Sequence, residues 1–257
     1  MTKVTKLLSH KALRFLFDKH ALKYRAAKEA VQWEREGYNY RDLWRHHSLF
    51  IKETNSIYVA ISKSANSSVR RALSDCSFKE AFDRKRNKEH GIYQLQHIKK
   101  SLSDIVTEQV PCITVVRNPV DRFWSAYQNK IIQHKHYGLA AEVAAFHGRS
   151  IQDIDDIPPE MVLDYIEQTP THLIEEHLRP QWACCGFGRL TFKMIARVES
   201  LKKDLQIATD QGWFPQIAVD RIKISNPSNQ CINTAVKQSL NSRVQACYAK
   251  DYESFEY

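Results

Sequence analysis

The sequence predicts an α/β fold in which a central parallel sheet is flanked by helices. Two stretches carry that expectation. Residues 56–71 and residues 112–127 each read as strand, tight turn and helix, and each sets anion-seeking side chains at the turn. In open parallel sheets, ligands bind beyond the carboxyl ends of the strands. The two turns are therefore expected to share one site.

The first unit is Ser-Ile-Tyr-Val-Ala-Ile-Ser-Lys-Ser-Ala-Asn-Ser-Ser-Val-Arg-Arg. Ser56–Ser62 alternates and is rich in β-branched and aromatic residues, the pattern of a buried strand. Val69–Leu73 reads as helical. A helix start offers free N–H groups and the positive end of the macrodipole to an anion. Lys63 adds a compact charge at the turn, and Ser64, Ser67 and Ser68 add hydroxyl donors. The plain alternative is an ordinary strand-to-helix turn with a surface lysine. A nucleoside-triphosphate P-loop is disfavoured, because that motif needs glycines ahead of Gly-Lys-Ser/Thr. This chain has none between Gly37 and Gly91.

The second unit begins with Cys-Ile-Thr-Val-Val-Arg at 112–117, a near-continuous apolar run that suits a strand covered on both faces. Asn118 is an N-cap, Pro119 fits the first helical position and Asp121 suits the first turn. Val120, Phe123, Trp124, Tyr127 and Ile131 form a stripe at helical spacing and belong to the core. Arg117 ends the strand and Ser125 lies two turns into the helix, so both are placed to face an anion near the helix start.

The remaining chain reads in order. Residues 1–28 hold eight Lys/Arg and one acidic residue. They read as a basic amphipathic helix, packed on the domain or lying on an anionic membrane surface. No apolar run there is long enough to span a bilayer. Residues 31–50 read as a second helix or turn. Lys79–Lys88 is a basic run, read as a solvated face or a grip on an anionic acceptor. His90 and His97 lie on a stretch read as helical through Leu102. Leu139–His147, Pro159–Gln168 and Thr171–Leu178 read as helices. Leu190–Ile195 reads as a strand, Ser200–Thr209 as a helix, Asn226–Asn229 as a loop and Thr234–Phe255 as one long helix. The expected division is a basic helical extension over 1–50 and a single domain over 51–257.

The composition fits this. Hydrophobic residues at 43% and charged residues at 26% suit a soluble globular chain. The net charge of +9 points to an anionic partner or a solubilising surface. The six cysteines form no Cys-x-x-Cys pair, so zinc is poorly supported. Cys112 and Cys247 fall in apolar patterns and are expected in the core. A pairing of Cys184 or Cys185 with Cys231 is left open.

With both units in hand, the chain resembles the Golgi-type carbohydrate sulfotransferases and their bacterial relatives, sulfotransferase family 2. Lys63-Ser64-Ala65-Asn66-Ser67-Ser68 is similar to that family's 5′-phosphosulfate loop. Arg117 through Tyr127 resembles its Arg-Asn/Asp-Pro-x-x-Arg-x-x-Ser-Ala-Tyr motif. His177-Leu178-Arg179-Pro180-Gln181 with Cys184 or Cys185, Arg197-Val198-Glu199-Ser200-Leu201, and Asp251-Tyr252-Glu253-Ser254-Phe255 also resemble family segments. Ser62 departs from the usual proline, and Ser67 from the commoner threonine. The resemblance covers about residues 56–257.

The resemblance implies a P-loop-like three-layer fold and transfer of a sulfuryl group from 3′-phosphoadenosine 5′-phosphosulfate (PAPS) to a hydroxyl, most simply of a glycan. The product would be 3′,5′-adenosine bisphosphate, with no metal and no nucleic acid involved. It implies a catalytic role for Lys63, and nucleotide-binding roles for Lys63, Ser64, Ala65, Asn66, Ser67, Ser68, Arg117 and Ser125. A general base is needed, and histidine suits neutral pH. His97 leads, with His90, His134, His136, His177 or a glutamate as rivals. A peripheral membrane contact through the basic start of the chain stays open. The implied location is cytoplasmic or membrane-peripheral for a bacterial or viral source, and the Golgi lumen for a trimmed eukaryotic chain. Two other classes compete: a polyanion-binding protein without chemistry, and a nucleotide kinase with a degenerate P-loop.

Overall fold

A computed structural model of the chain describes residues 30–38, 48–74, 92–94, 102–133, 137–150, 157–222 and 232–257. Its sheet contains β1 (Leu49–Ile51), β2 (Ser56–Val59), β3 (Ile92–Gln94), β4 (Cys112–Val116) and β5 (Phe192–Arg197), in the order β3-β1-β2-β4-β5. β2, β4 and β5 are parallel, with Val59 opposite Thr114 and Val116 opposite Arg197. β1 runs antiparallel to both β2 and β3 and extends one edge. The β1–β2 hairpin turns at Lys52–Asn55, where Asn55 takes φ 47°, a left-handed conformation that asparagine tolerates.

Period-two alternation decides what each face meets. Ile57, Val59, Cys112 and Val116 pack with Trp33, Tyr38, Trp182, Cys185 and Phe255. Tyr58, Ile113 and Val115 pack with Val69 and Leu73 of α1 (Asn66–Ser74) and with Leu201, Leu205 and Phe214. Helices therefore cover both faces, which is why all of β4 is buried and apolar apart from Thr114. Thr114 satisfies its hydroxyl on the Val59 carbonyl at 2.8 Å.

After α2 (Leu102–Thr107), the chain enters β4 and then α3 (Pro119–Ala126). The cap of α3 forms as the sequence predicts. Asn118 Oδ1 accepts from the N–H groups of Val120 at 3.0 Å and Asp121 at 3.3 Å, with Pro119 in the first turn. The helix continues as a π-helical stretch over Tyr127–Gln133. Phe123, Trp124, Tyr127 and Ile131 form a second core with α4 (Tyr137–Phe146) and α5 (Pro159–Gln168). Val244 and Tyr248 close that core from the C-terminal region. The remaining helices are α6 (Gln181–Cys185), α7 (Leu201–Asp210), α8 (Gln216–Arg221), α9 (Thr234–Cys247) and α10 (Ala249–Phe255).

Several expectations are corrected. The strand read over Ser56–Ser62 leaves the sheet after Val59. The stretch read as helical through Leu102 contains β3, because β1 offers it an antiparallel edge. The predicted helix over Thr171–Leu178 survives only as a 3₁₀ turn at Thr171–Leu173. Beyond it, the Glu175 carboxylate takes the His177 N–H at 2.7 Å, and that local bond replaces the helical ladder. The helix read over Thr234–Phe255 breaks at Tyr248, whose buried hydroxyl donates to the Leu178 carbonyl at 2.6 Å. Cys112 is buried, but Cys247 is only half-buried. Cys184 and Cys185 are free thiols. The readings for 1–28, Lys79–Lys88, Asn226–Asn229 and Cys231 fall outside the described residues.

Candidate active site

The site is built at the carboxyl ends of β2 and β4, which lie side by side in the sheet. Past β2 the chain turns through residues 62–65 into α1. Lys63 at φ 68° and Ala65 at φ 53° are left-handed, while Ser64 and Asn66 are not. Such alternation turns successive N–H groups toward one point and makes an anion-binding concavity, or nest. Among the described residues, the N–H groups of Lys63 and of Ala65 through Ser68 have no protein acceptor. The nest thus forms without glycine. Residues with a Cβ adopt it here, at roughly 1–2 kcal/mol each.

Strain of this kind persists only where the surroundings hold it. Arg122, buried on α3, donates from Nε to the Ser62 carbonyl at 3.0 Å and from Nη2 to the Glu176 carbonyl at 3.2 Å. Lys63 Nζ donates to Asn129 Oδ1, one helical turn past Ser125. Ser64 Oγ donates to Gln181 Oε1 at 2.9 Å, and the Ser64 N–H donates to the Ile61 carbonyl at 3.3 Å. Both donors of Ser64 are therefore engaged inside the protein, and its hydroxyl braces the loop.

The second turn carries Arg117 and Asn118, and Ser125 follows near the end of α3. Gln181 Oε1 also accepts the Arg117 N–H at 2.9 Å, and Gln181 Nε2 donates to the Arg117 carbonyl at 2.9 Å. The Asn118 N–H is taken by Glu199 Oε1 at 2.9 Å. Glu199 Oε2 accepts from the Tyr257 hydroxyl at 3.2 Å, and the Arg197 guanidinium lies 4.8 Å from the centre of the Tyr257 ring. Among the described residues, the Arg117 guanidinium and the hydroxyls of Ser67, Ser68 and Ser125 have no protein hydrogen-bond partner. Asn66 Oδ1 is buried without one. The donors that remain open are those suited to an oxyanion.

The electrostatics agree. Burial lowers the Lys63 ammonium to about 8, helped by the nearby charges of Lys130, Arg117 and Arg122 and opposed by Glu175. A cluster of cations this unfavourable to itself is stabilised by an anion from outside. Behind the site, Asp251 is fully buried and caps α6 by accepting from the N–H groups of Gln181 at 2.8 Å and Trp182 at 2.9 Å. Burial lifts its carboxyl to about 6 against the pull of those two donors.

The structure thus places Lys63 and Ala65 on one turn, Asn66, Ser67 and Ser68 at the helix start that follows it, and Arg117 on the neighbouring turn, while Ser125 lies near the end of α3. His97, His90, His134 and His136 lie outside the described residues. His177 lies within them, with Nδ1 2.7 Å from Glu175 Oε1. Its loop is tied to the lysine turn by Arg122, which bonds both Ser62 and Glu176. Sequence reasoning gave no role to Gln181, Arg122, Asn129 or Asp251. Three of these sit in motifs already singled out, and Arg122, Ser125 and Asn129 share the spacing of one helix face.

Two adjacent parallel strands thus end in turns that carry cationic side chains and open N–H groups, one of them a nest with a half-buried lysine. A family model described as the sulfotransferase family matches residues 46–257, which include both turns, Gln181 and Asp251. The chain belongs to this family, sulfotransferase family 2, and is a transferase by descent. No curated protein and no solved structure matches it.

Two outcomes follow from this geometry. Ala65→Gly relieves the left-handed strain of roughly 1–2 kcal/mol and gives back roughly 0.5–1 kcal/mol in chain entropy. The net is roughly 0–1.5 kcal/mol, so thermal unfolding of that variant should occur at the same temperature or up to about 6 °C higher; a lower midpoint contradicts the strain. The second outcome concerns pH. An anion held beside Lys63 would raise its pKa above about 8, so affinity for such an anion would be full below pH 8 and fall as pH rises through it. Calorimetry of sulfate at pH 8, in buffers of different ionisation enthalpy, should register proton uptake that vanishes in Lys63→Met.

Proposed function

We propose that the protein transfers a sulfuryl group from PAPS to a hydroxyl, most simply of a carbohydrate. The observation that carries this is the pair of anion subsites on adjacent strands, fixed to each other by one buried amide. It matches a donor with phosphate groups at two positions. The free N–H groups of the 65–68 turn and the Ser67 and Ser68 hydroxyls would hold the 5′-phosphate. Arg117 and Ser125 would hold the 3′-phosphate. The carbohydrate acceptor rests on the resemblance of the ordered motifs.

In the proposed step the acceptor oxygen forms a bond to sulfur as the bond from sulfur to the 5′-phosphate oxygen breaks. The bonding pair stays on that phosphate oxygen, giving 3′,5′-adenosine bisphosphate, and the acceptor proton passes to a base. Lys63, which donates to Asn129 Oδ1 in this structure, supplies positive charge where the leaving oxygen develops negative charge. For the base, His97 remains the reading from sequence. His177 is favoured among the described residues, because a carboxylate on Nδ1 fixes the tautomer and supports the imidazolium that forms.

The test is transfer of labelled sulfuryl from PAPS to a glycan panel in the presence of a metal chelator. Turnover is expected without metal, with Lys63→Ala lowering kcat by about 10²–10³-fold. Loss of the base is expected to lower it by about 10²–10⁴-fold and to remove the acidic limb of the pH profile. His177→Ala and His97→Ala, run in parallel, assign the base. Binding without transfer, spread over many Lys/Arg and steeply dependent on salt, favours the polyanion reading instead. A strict need for Mg²⁺ favours the kinase.

A further inference from the structure

Gln181 stands 117 residues from Ser64 and 64 from Arg117, yet it bonds both. Its side chain is fully buried. The Arg117 N–H only donates and the Arg117 carbonyl only accepts, so bonding both fixes which end of the amide is oxygen. Gln181 Oε1 then has one lone pair left, and it takes the Ser64 hydroxyl. The side chain also acts on the Asp251 carboxylate, which holds the backbone N–H of Gln181 from the other side. One amide is thus satisfied wholly by the two turns and by the residue that anchors it.

The sheet does not supply this link. Val59 and Thr114 are paired, but Ser64 and Arg117 lie beyond the ends of their strands. Among the described residues, Gln181 bonds a residue of each turn, while Arg122 and Asn129 reach the lysine turn from the helix that follows the second. We propose that Gln181 is the gauge of the site: it sets the distance between the lysine turn and Arg117, and so selects a nucleoside phosphorylated at both the 3′ and 5′ positions over either monophosphate. This inference rests on the nucleotide reading above and makes Gln181 a positioning residue for it. The physical reason is that of two linked binding events. The second phosphate binds as an intramolecular step, which gains about 10²–10⁴-fold only if the two subsites are correctly spaced. Loosening the spacing removes that gain and leaves each subsite able to bind alone.

The experiment compares dissociation constants for 3′,5′-adenosine bisphosphate, 5′-AMP and 3′-AMP in the full chain and in Gln181→Leu, with folding checked by circular dichroism. The intact protein is expected to prefer the bisphosphate by about a hundredfold or more. In Gln181→Leu the preference should fall at least about tenfold, while each monophosphate constant moves less than about threefold, since only the linkage is lost. Ser64→Ala removes one of the bonds without touching Arg117 and should give an intermediate loss; it carries the test if Gln181→Leu does not fold. Equal weakening of all three ligands, or a preference that survives in both variants, overturns the gauge. Failure of the intact protein to bind any of the three overturns the nucleotide reading itself, a different result.

Discussion

A turn without glycine that must nevertheless run left-handed at Lys63 and Ala65 is the constraint on which the rest of the site depends. Such a turn does not hold itself. It is braced from three directions, by Arg122 on the Ser62 carbonyl, by Gln181 on the Ser64 hydroxyl and by Asn129 on the Lys63 ammonium. The braces occupy carbonyls, the Ser64 hydroxyl and, through Asn129, the Lys63 ammonium, while among the described residues the N–H groups of 65–68 stay open. The protein supplies the strain and the charge in advance, which is the preorganisation that an electrostatic transfer step requires.

The braces arrive from distant parts of the chain. Arg122 and Asn129 stand on the helix that follows β4, so the second turn supports the first. Gln181 opens α6, and α6 is capped by Asp251 of α10. The buried carboxylate is well matched to that place, because it has two oxygens for two neighbouring N–H groups and no donor to misplace. An asparagine there would offer one acceptor and leave one N–H facing an amine. Burial raises Asp251 to about 6, so this capping carries an electrostatic penalty at neutral pH. The extent of the family match, 46–257, is consistent with a site whose supports lie along nearly all of that stretch.

What was legible in the sequence was what local physics decides. Asn118-Pro119 at the head of an apolar stripe specifies a capped helix whatever surrounds it, and the apolar run at 112–116 specifies a strand covered on both faces. The positions of Lys63 past β2 and of Arg117 past β4 were readable for the same reason, since each stands just beyond a strand end. The misread elements are those that distant partners decide. β3 is a strand because β1 offers an edge. Thr171–Leu178 is not a helix because Glu175 turns its carboxylate onto its own loop, and the last helix breaks because the Tyr248 hydroxyl reaches Leu178. The role of Gln181 belongs to the same class. A glutamine in a motif announces nothing until the chain folds and its amide meets both turns. The lack of glycine argued against a nucleoside-triphosphate P-loop but could not show that Lys63 and Ala65 run left-handed, a conformation that neighbouring side chains hold here.

The central claim is that one bisphosphate nucleotide touches both turns at once. Phosphorus NMR of 3′,5′-adenosine bisphosphate titrated with the protein tests it most directly, because the two phosphates report separately. Both resonances are predicted to shift on binding. Lys63→Ala should then alter mainly the 5′ resonance, and Arg117→Ala mainly the 3′ resonance. Resonances that do not move in the presence of folded protein, or two substitutions that perturb the same phosphate, would contradict the account.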